Sequence, residues 1–133
     1  MSELSLQNGL PFVVVNLQHN GKRIQLSKVL LDTGSAATLL NIDHALELGL
    51  DCLPSDPLRR ICGVGGAEFV FEKRVAYIAL GQMKCMDFAI QIGDMDYGFQ
   101  LDGIIGMDFL TQVGAQLDLA NLKIFNTTRH DAI

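Results

Sequence analysis

Apolar residues along this chain fall mostly in short runs and alternations, punctuated by Gly, Asn and Pro, and that spacing predicts strands. Pro11 to Gln18 reads PFVVVNLQ, a β-branched run suited to a pleated, half-buried surface. Asn20-Gly21 follows and predicts a two-residue hairpin turn, because both central residues of such a turn take positive φ. The return strand runs from about Arg23 to Leu31, and its apolar end, Val29-Leu30-Leu31, is expected to be buried. Asp32-Thr33-Gly34-Ser35 breaks this run with a polar turn before a further apolar piece, Thr38-Leu39-Leu40. Asn41 then caps a short helix, Ile42 to Leu48, which Gly49 closes.

Leu50 to Pro57, with two prolines, predicts a loop. Leu58 to Ile61 and Phe69 to Leu80 predict strands around Gly63-Val64-Gly65-Gly66, where three glycines in four residues mark a hairpin tip. Met83 to Ile92 predicts another strand and Gly93 to Gln100 another loop. Leu101 to Gly106 brings a short buried strand, and Met107 to Val113 a short helix with Asp108 in its first turn. Gln116 to Leu119 and Leu122 to Phe125 form a last strand pair about Ala120-Asn121, and Thr127 to Ile133 reads as a loose tail. The expectation is an all-β fold with one or two short helices in a single domain spanning residues 1–133.

Composition narrows the function classes. Of 133 residues, 49% are apolar, more than a lone soluble domain needs, which suits a large core or a buried dimer face. The net charge of -5 gives no electrostatic footprint for nucleic acid or an anionic membrane. Cys52, Cys62 and Cys85 are odd in number and irregularly spaced, without zinc-type pairing, so they are expected as free thiols in a reducing compartment. No signal-peptide pattern opens the chain and no apolar run reaches membrane-spanning length, so a cytoplasmic location is expected. No metal or cofactor is expected.

The candidate chemistry sits at Asp32. Cleaving an amide without a metal or a Ser or Cys nucleophile requires one carboxylate to activate water and an acid to protonate the leaving group. Two carboxylates about 3 Å apart meet both needs by sharing one proton, because they cannot both ionise. Asp32 ends a buried apolar strand, Gly34 lets the backbone turn tightly beside it, and the Ser35 hydroxyl is expected to hydrogen-bond its carboxylate. Asp-Thr-Gly alone is a modest signal, since it arises by chance in roughly a few per cent of chains this long. The plain reading is an Asx turn.

Four segments, in order, make the motif specific. Leu30-Leu31-Asp32-Thr33-Gly34-Ser35-Ala36 resembles the catalytic loop of the retropepsins, the retroviral-type aspartic proteases. Gly63-Val64-Gly65-Gly66 resembles their flap tip, Gly103-Ile104-Ile105-Gly106 the apolar segment the catalytic loop threads past, and Phe109 to Gly114 the helix that follows. The resemblance implies an acid-protease barrel that is half of a two-fold symmetric homodimer. It implies that Asp32 pairs with Asp32 of a second copy across a bound water, and that Thr33 locks the two loops together. Gly34 would contact a peptide substrate, the 63–66 glycines and Val64 would close over it, and Leu39 and Ile104 would line apolar pockets. Counting agrees with the dimer: the chain holds one Asp-Thr-Gly, and Asp102, Asp108 and Asp118 lack a following Thr-Gly.

Some positions depart from the viral pattern. Ala36 and Ala37 stand where viral enzymes carry acids, and Met107 where they carry the arginine paired to one of them. The chain also continues past the usual viral end, and a hairpin over Leu117 to Phe125 is expected to join the dimer interface, which resembles cellular rather than viral members. Asp102, beside Ile104, is a candidate for a pocket that favours a basic side chain, against the plainer reading of a solvated turn acid. His19 and His44 are expected at the surface, and Cys62 as a bystander beside the flap. The alternative to a homodimeric endopeptidase is a catalytically weak or inactive dimer of the same fold that binds peptides or acts as a scaffold.

Overall fold

Asn20 and Gly21 adopt φ of 51° and 75°, the doubly positive geometry of a tight hairpin turn. They join two of the longest strands in a computed structural model that describes residues 2–63, 66–95 and 100–127, with the backbone alone at 59–63 and 66–69. In chain order the elements are β1 (Ser2–Glu3), β2 (Ser5–Gln7), β3 (Leu10–His19), β4 (Lys22–Leu31), β5 (Leu39–Asn41), α1 (Ile42–Glu47), β6 (Leu58–Gly63) and β7 (Gly66–Leu80). They continue with β8 (Met83–Gly93), β9 (Gly103–Ile105), α2 (Met107–Val113), β10 (Gln116–Asp118) and β11 (Lys123–Phe125).

The main sheet runs β2-β3-β4-β9-β5-β8-β7-β6, and an added β3–β7 pairing closes β3, β4, β9, β5, β8 and β7 into a six-stranded barrel. This is the mostly-β, two-helix architecture expected for a retropepsin-like fold. Within the ring, β9 lies between β4 and β5, parallel to the first and antiparallel to the second. A strand flanked on both sides and covered on both faces has no polar face, and Gly103, Ile104 and Ile105 are all buried.

Alternation along β3 sends Val13, Val15 and Leu17 inward, where they meet Leu26, Val29, Ile78, Ile90 and Ile105. The register between β3 and β4 slips there: Val13 pairs with Val29, but Val15 with Leu26. The extra residue falls in β4 around Ser27-Lys28, a bulge that turns the Lys28 backbone away from β3. Phe109 of α2 is fully buried and meets Phe88 edge-on at 6.1 Å between ring centres. Asn41 caps α1 by accepting from the Asp43 N–H at 3.1 Å, and Gly49 takes a φ of 74° after it.

The terminal strands form a second sheet, β1-β11-β10. Leu4 and Ile124 anchor it to the main core, and the Leu4 N–H donates to the Leu122 carbonyl at 2.8 Å. The turn between β10 and β11 is wider than Ala120-Asn121, since the strands stop at Asp118 and resume at Lys123. The expected tail lies mostly beyond the described residues. Among the described residues, no helix is long and apolar enough to cross a membrane.

Candidate active site

The loop that carries Asp32 begins as a continuation of the barrel. The Asp32 N–H donates to the Ile105 carbonyl at 3.0 Å, extending the β4–β9 ladder by one residue. The chain then turns: the Ser35 N–H donates to the Asp32 carbonyl at 3.1 Å, and the Gly34 N–H to the Asp32 carboxylate Oδ1 at 2.9 Å. The second bond is that of an Asx turn. Asp32 is half-buried, whereas Thr33 and Gly34 are exposed beside it.

The Ser35 hydroxyl departs from expectation. It donates to the Ala37 carbonyl at 2.8 Å and not to the Asp32 carboxylate. A carbonyl two residues on, within the same turn, is a nearer acceptor for a short side chain. The hydroxyl therefore braces the loop, and a backbone amide serves the carboxylate.

Residues 103–108 thread past this loop and hold it along its length. The Met107 N–H donates to the Ser35 carbonyl at 2.8 Å, and the Asp108 N–H to the Ala36 carbonyl at 3.2 Å. At the far end the buried Thr38 donates its hydroxyl to Asp108 Oδ1 at 2.7 Å and its N–H to Asp108 Oδ2 at 3.1 Å. Its hydroxyl oxygen accepts the Gly106 N–H at 3.1 Å. Gly106 has to be glycine for lack of room: a Cβ there would lie 2.3 Å from the Ala37 carbonyl oxygen and 2.8 Å from that of Ser35. Gly103 meets the same limit against the Leu39 carbonyl oxygen, at 2.6 Å.

Leu39 and Ile104 face each other across β5 and β9. They are buried in a second apolar cluster with Phe12, Val70, Met95 and Leu101, against which Leu30 and Ala37 pack. Sequence reasoning paired Leu39 with Ile104 but missed Phe12, Val70, Met95 and Leu101, which come from distant segments and carry no local signal. The cluster flanks both ends of the Asp32 loop, through Leu30 and Ala37. Gly63 pairs with Gly66 at the end of the β6–β7 hairpin, and the expected tip residues Val64 and Gly65 lie outside the described residues.

Asp102 is held by partners from distant segments. Its carboxylate accepts the Lys28 N–H at 3.0 Å on Oδ2, and His44 Nε2 lies 2.8 Å from Oδ1. It is not the solvated turn acid of the plainer reading, because the β4 bulge aims the Lys28 amide at it and its side chain is 18% exposed. His44 is correspondingly drawn in from the surface, with a side chain 24% exposed. Cys52 and Cys85 are free thiols, and burial, helped by the charge of Asp108, pushes the Cys85 thiol up. Among the described residues, no cluster of three His, Cys, Asp or Glu side chains is arranged to hold a metal.

A family model described as aspartyl protease matches residues 15–109. The matched span contains the Asp32 loop, the β6–β7 hairpin and the Gly103–Asp108 segment. Comparison with curated proteins finds no match.

Proposed function

Since the chain belongs to the retropepsin-like aspartyl protease family, we propose that it is a homodimeric endopeptidase whose active site is completed by two copies of Asp32. The carrying observation is that one chain supplies a single Asp-Thr-Gly loop, braced by contacts within that same chain, with Thr33 and Gly34 left exposed beside the half-buried carboxylate. A catalytic pair needs a second carboxylate, and a two-fold axis beside the loop supplies it from an identical subunit.

In the proposed reaction one Asp32 carboxylate, ionised, takes a proton from a water held between the two, and the water oxygen attacks the peptide carbonyl carbon. The other Asp32, protonated, donates to the carbonyl oxygen. Collapse of the tetrahedral intermediate breaks the C–N bond as a proton passes to the departing nitrogen. The two apparent pKa values belong to the pair and not to either residue. The Gly34 N–H fixes the position of Oδ1 on its own subunit's carboxylate. Leu39 and Ile104 wall apolar side-chain pockets, and the β6–β7 hairpin closes over an extended peptide. The Asp102 carboxylate, beside Ile104, accepts the Lys28 N–H and meets His44 Nε2. The free thiols fit a cytoplasmic setting.

The test is cleavage of a mixed peptide library between about pH 3 and 8, wild type beside Asp32→Asn. The expected result is cutting by the wild type alone, with activity lost on dilution through the dimer dissociation range. A folded dimer that cuts nothing at any pH refutes the protease reading and leaves a peptide-binding module.

A further inference from the structure

We propose that Asp108 is a positioning residue for Asp32, its carboxylate fixing the far end of the loop whose near end carries the catalytic group. This rests on the protease reading for its catalytic consequence, but the clamp itself is a property of one chain.

The geometry separates what the backbone holds from what a side chain holds. At the near end, Asp32, Ser35 and Ala36 are tied to Ile105, Met107 and Asp108 by main-chain bonds that the Asp108→Asn substitution leaves in place. At Thr38 the tie runs through the Asp108 carboxylate. Both of its oxygens are used: Oδ1 accepts the Thr38 hydroxyl and the Phe109 N–H, each at 2.7 Å, and Oδ2 accepts the Thr38 N–H at 3.1 Å. The Thr38 hydroxyl oxygen receives the Gly106 N–H, so its own proton is left to point at Asp108. An acceptor-only partner is therefore required at 108, which an ionised carboxylate is and an amide is not.

A plainer role exists. An acid in the first turn of α2 that accepts the Phe109 N–H would stabilise the helix start. That role needs one acceptor oxygen and tolerates Asn. The clamp does not, because Asp108→Asn keeps an acceptor at Oδ1 and sets an NH2 donor against the Thr38 N–H. The two roles thus part at a single isosteric substitution.

Four variants decide it, each assayed for kcat and KM on a cleaved peptide and for thermal unfolding. Asp108→Asn and Thr38→Val should each lower kcat by about 10- to 100-fold with KM nearly unchanged, since a misplaced carboxylate harms the transition state more than substrate binding. Thr38→Ser, which keeps the hydroxyl, should retain most of the wild-type kcat. The double variant Asp108→Asn/Thr38→Val should be no slower than the worse single, because both break one device. Wild-type kcat in Asp108→Asn, additive losses in the double variant, or a loss matched by an equal fall in folded dimer overturns the proposal.

A second measurement needs no activity. Amide hydrogen exchange at Ser35, Thr38 and Gly106 should quicken at least about tenfold in Asp108→Asn, with Val13 and Leu17 in β3 unchanged. If the wild type itself cleaves nothing, the protease reading falls, and this exchange alone decides the clamp. Unaltered exchange at Thr38 and Gly106 overturns it.

Discussion

Gly106→Ala tests the threaded loop at its tightest point. The new Cβ would lie 2.3 Å from the Ala37 carbonyl oxygen, 2.6 Å from the Ala37 carbonyl carbon and 2.8 Å from the Ser35 carbonyl oxygen. All three are backbone atoms of the Asp32 loop, so no side chain can swing away. Carbon contacts become favourable only near about 3.5 Å, so the Ala37 peptide must retreat by roughly 1 Å. Overpacking of this kind costs about 1–3 kcal/mol, and a chain of this size loses roughly 3–4 °C of Tm per kcal/mol. A displacement of about 1 Å beside a catalytic group costs on the order of 100-fold in rate. The measurements are thermal unfolding and kcat per folded dimer. Gly114→Ala is the control: Gly114 has a φ of 64° with open space around it, so alanine there is strained without touching the loop. It should lower Tm by a few degrees, for about 1 kcal/mol, and leave kcat per folded molecule alone. A Gly106→Ala enzyme with wild-type Tm and kcat would refute the threaded packing as the source of loop order.

Three more expectations follow from the same structure. Ser35→Ala should leave the pH–rate profile in place and cost about 1 kcal/mol of stability, because the hydroxyl bonds Ala37 and not Asp32; a displaced acid limb would show the contrary. Asp118, held below the usual carboxylate range by the Asn121 side chain and N–H, stabilises the β10–β11 turn above the ordinary Asp value of 3.8 and loses that contribution as pH falls through its lower folded value. Amide exchange at Lys123 and Phe125, corrected for intrinsic rate, should therefore rise in acid and lose that pH dependence in Asp118→Asn, and an unchanged dependence would exclude Asp118 as its source. Leu119→Asp, at a side chain 65% exposed, should leave the fold intact and weaken the proposed dimer in sedimentation if the C-terminal hairpin lies at the interface, while an unaltered dimer would place the interface elsewhere. Deleting residues 120–133 is not an equivalent test, because it removes β11 and the fully buried Ile124.

Local signals carried the strands they belong to. Asn20-Gly21 specified its hairpin, and Asn41 and Gly49 bracketed α1. The same Asn-Gly pair at positions 8 and 9, with φ of 53° and 77°, joins β2 to β3 and was passed over. Ser5-Leu6-Gln7 is exposed throughout, so no buried face imposed a period on it. β1 has only two residues, and its pairing with β11 is set by the distant Ile124 and Leu4 in the core. The Asp32 loop was legible because its residue types are demanded by one short segment. The inward turn of Asp102 was not, since it follows from a bulge in β4 that appears only when β3 and β4 take their register.

The acids show most clearly where sequence reasoning ends. The absence of a following Thr-Gly excludes Asp102 and Asp108 as catalytic carboxylates, and their local sequence reads as a pocket or turn acid and a helix first-turn acid. Both turn out to be acceptors for backbone amides from segments far away in the chain, Lys28 and Thr38. The two flank β9 and tie its ends to the route through Asp32: Asp102, just before β9, to β4, and Asp108, in the helix after β9, to Thr38 at the entry to β5. These ties lie wholly within one chain, whereas the proposed chemistry needs two. A folded single copy would therefore already hold its Asp32 loop in order, and association would bring the carboxylates together without having to build the loop. Reassociation after dilution should then restore activity at the rate of dimer formation, with no slower first-order phase. A concentration-independent lag would show that the partner orders the loop and that the intrachain clamp is insufficient.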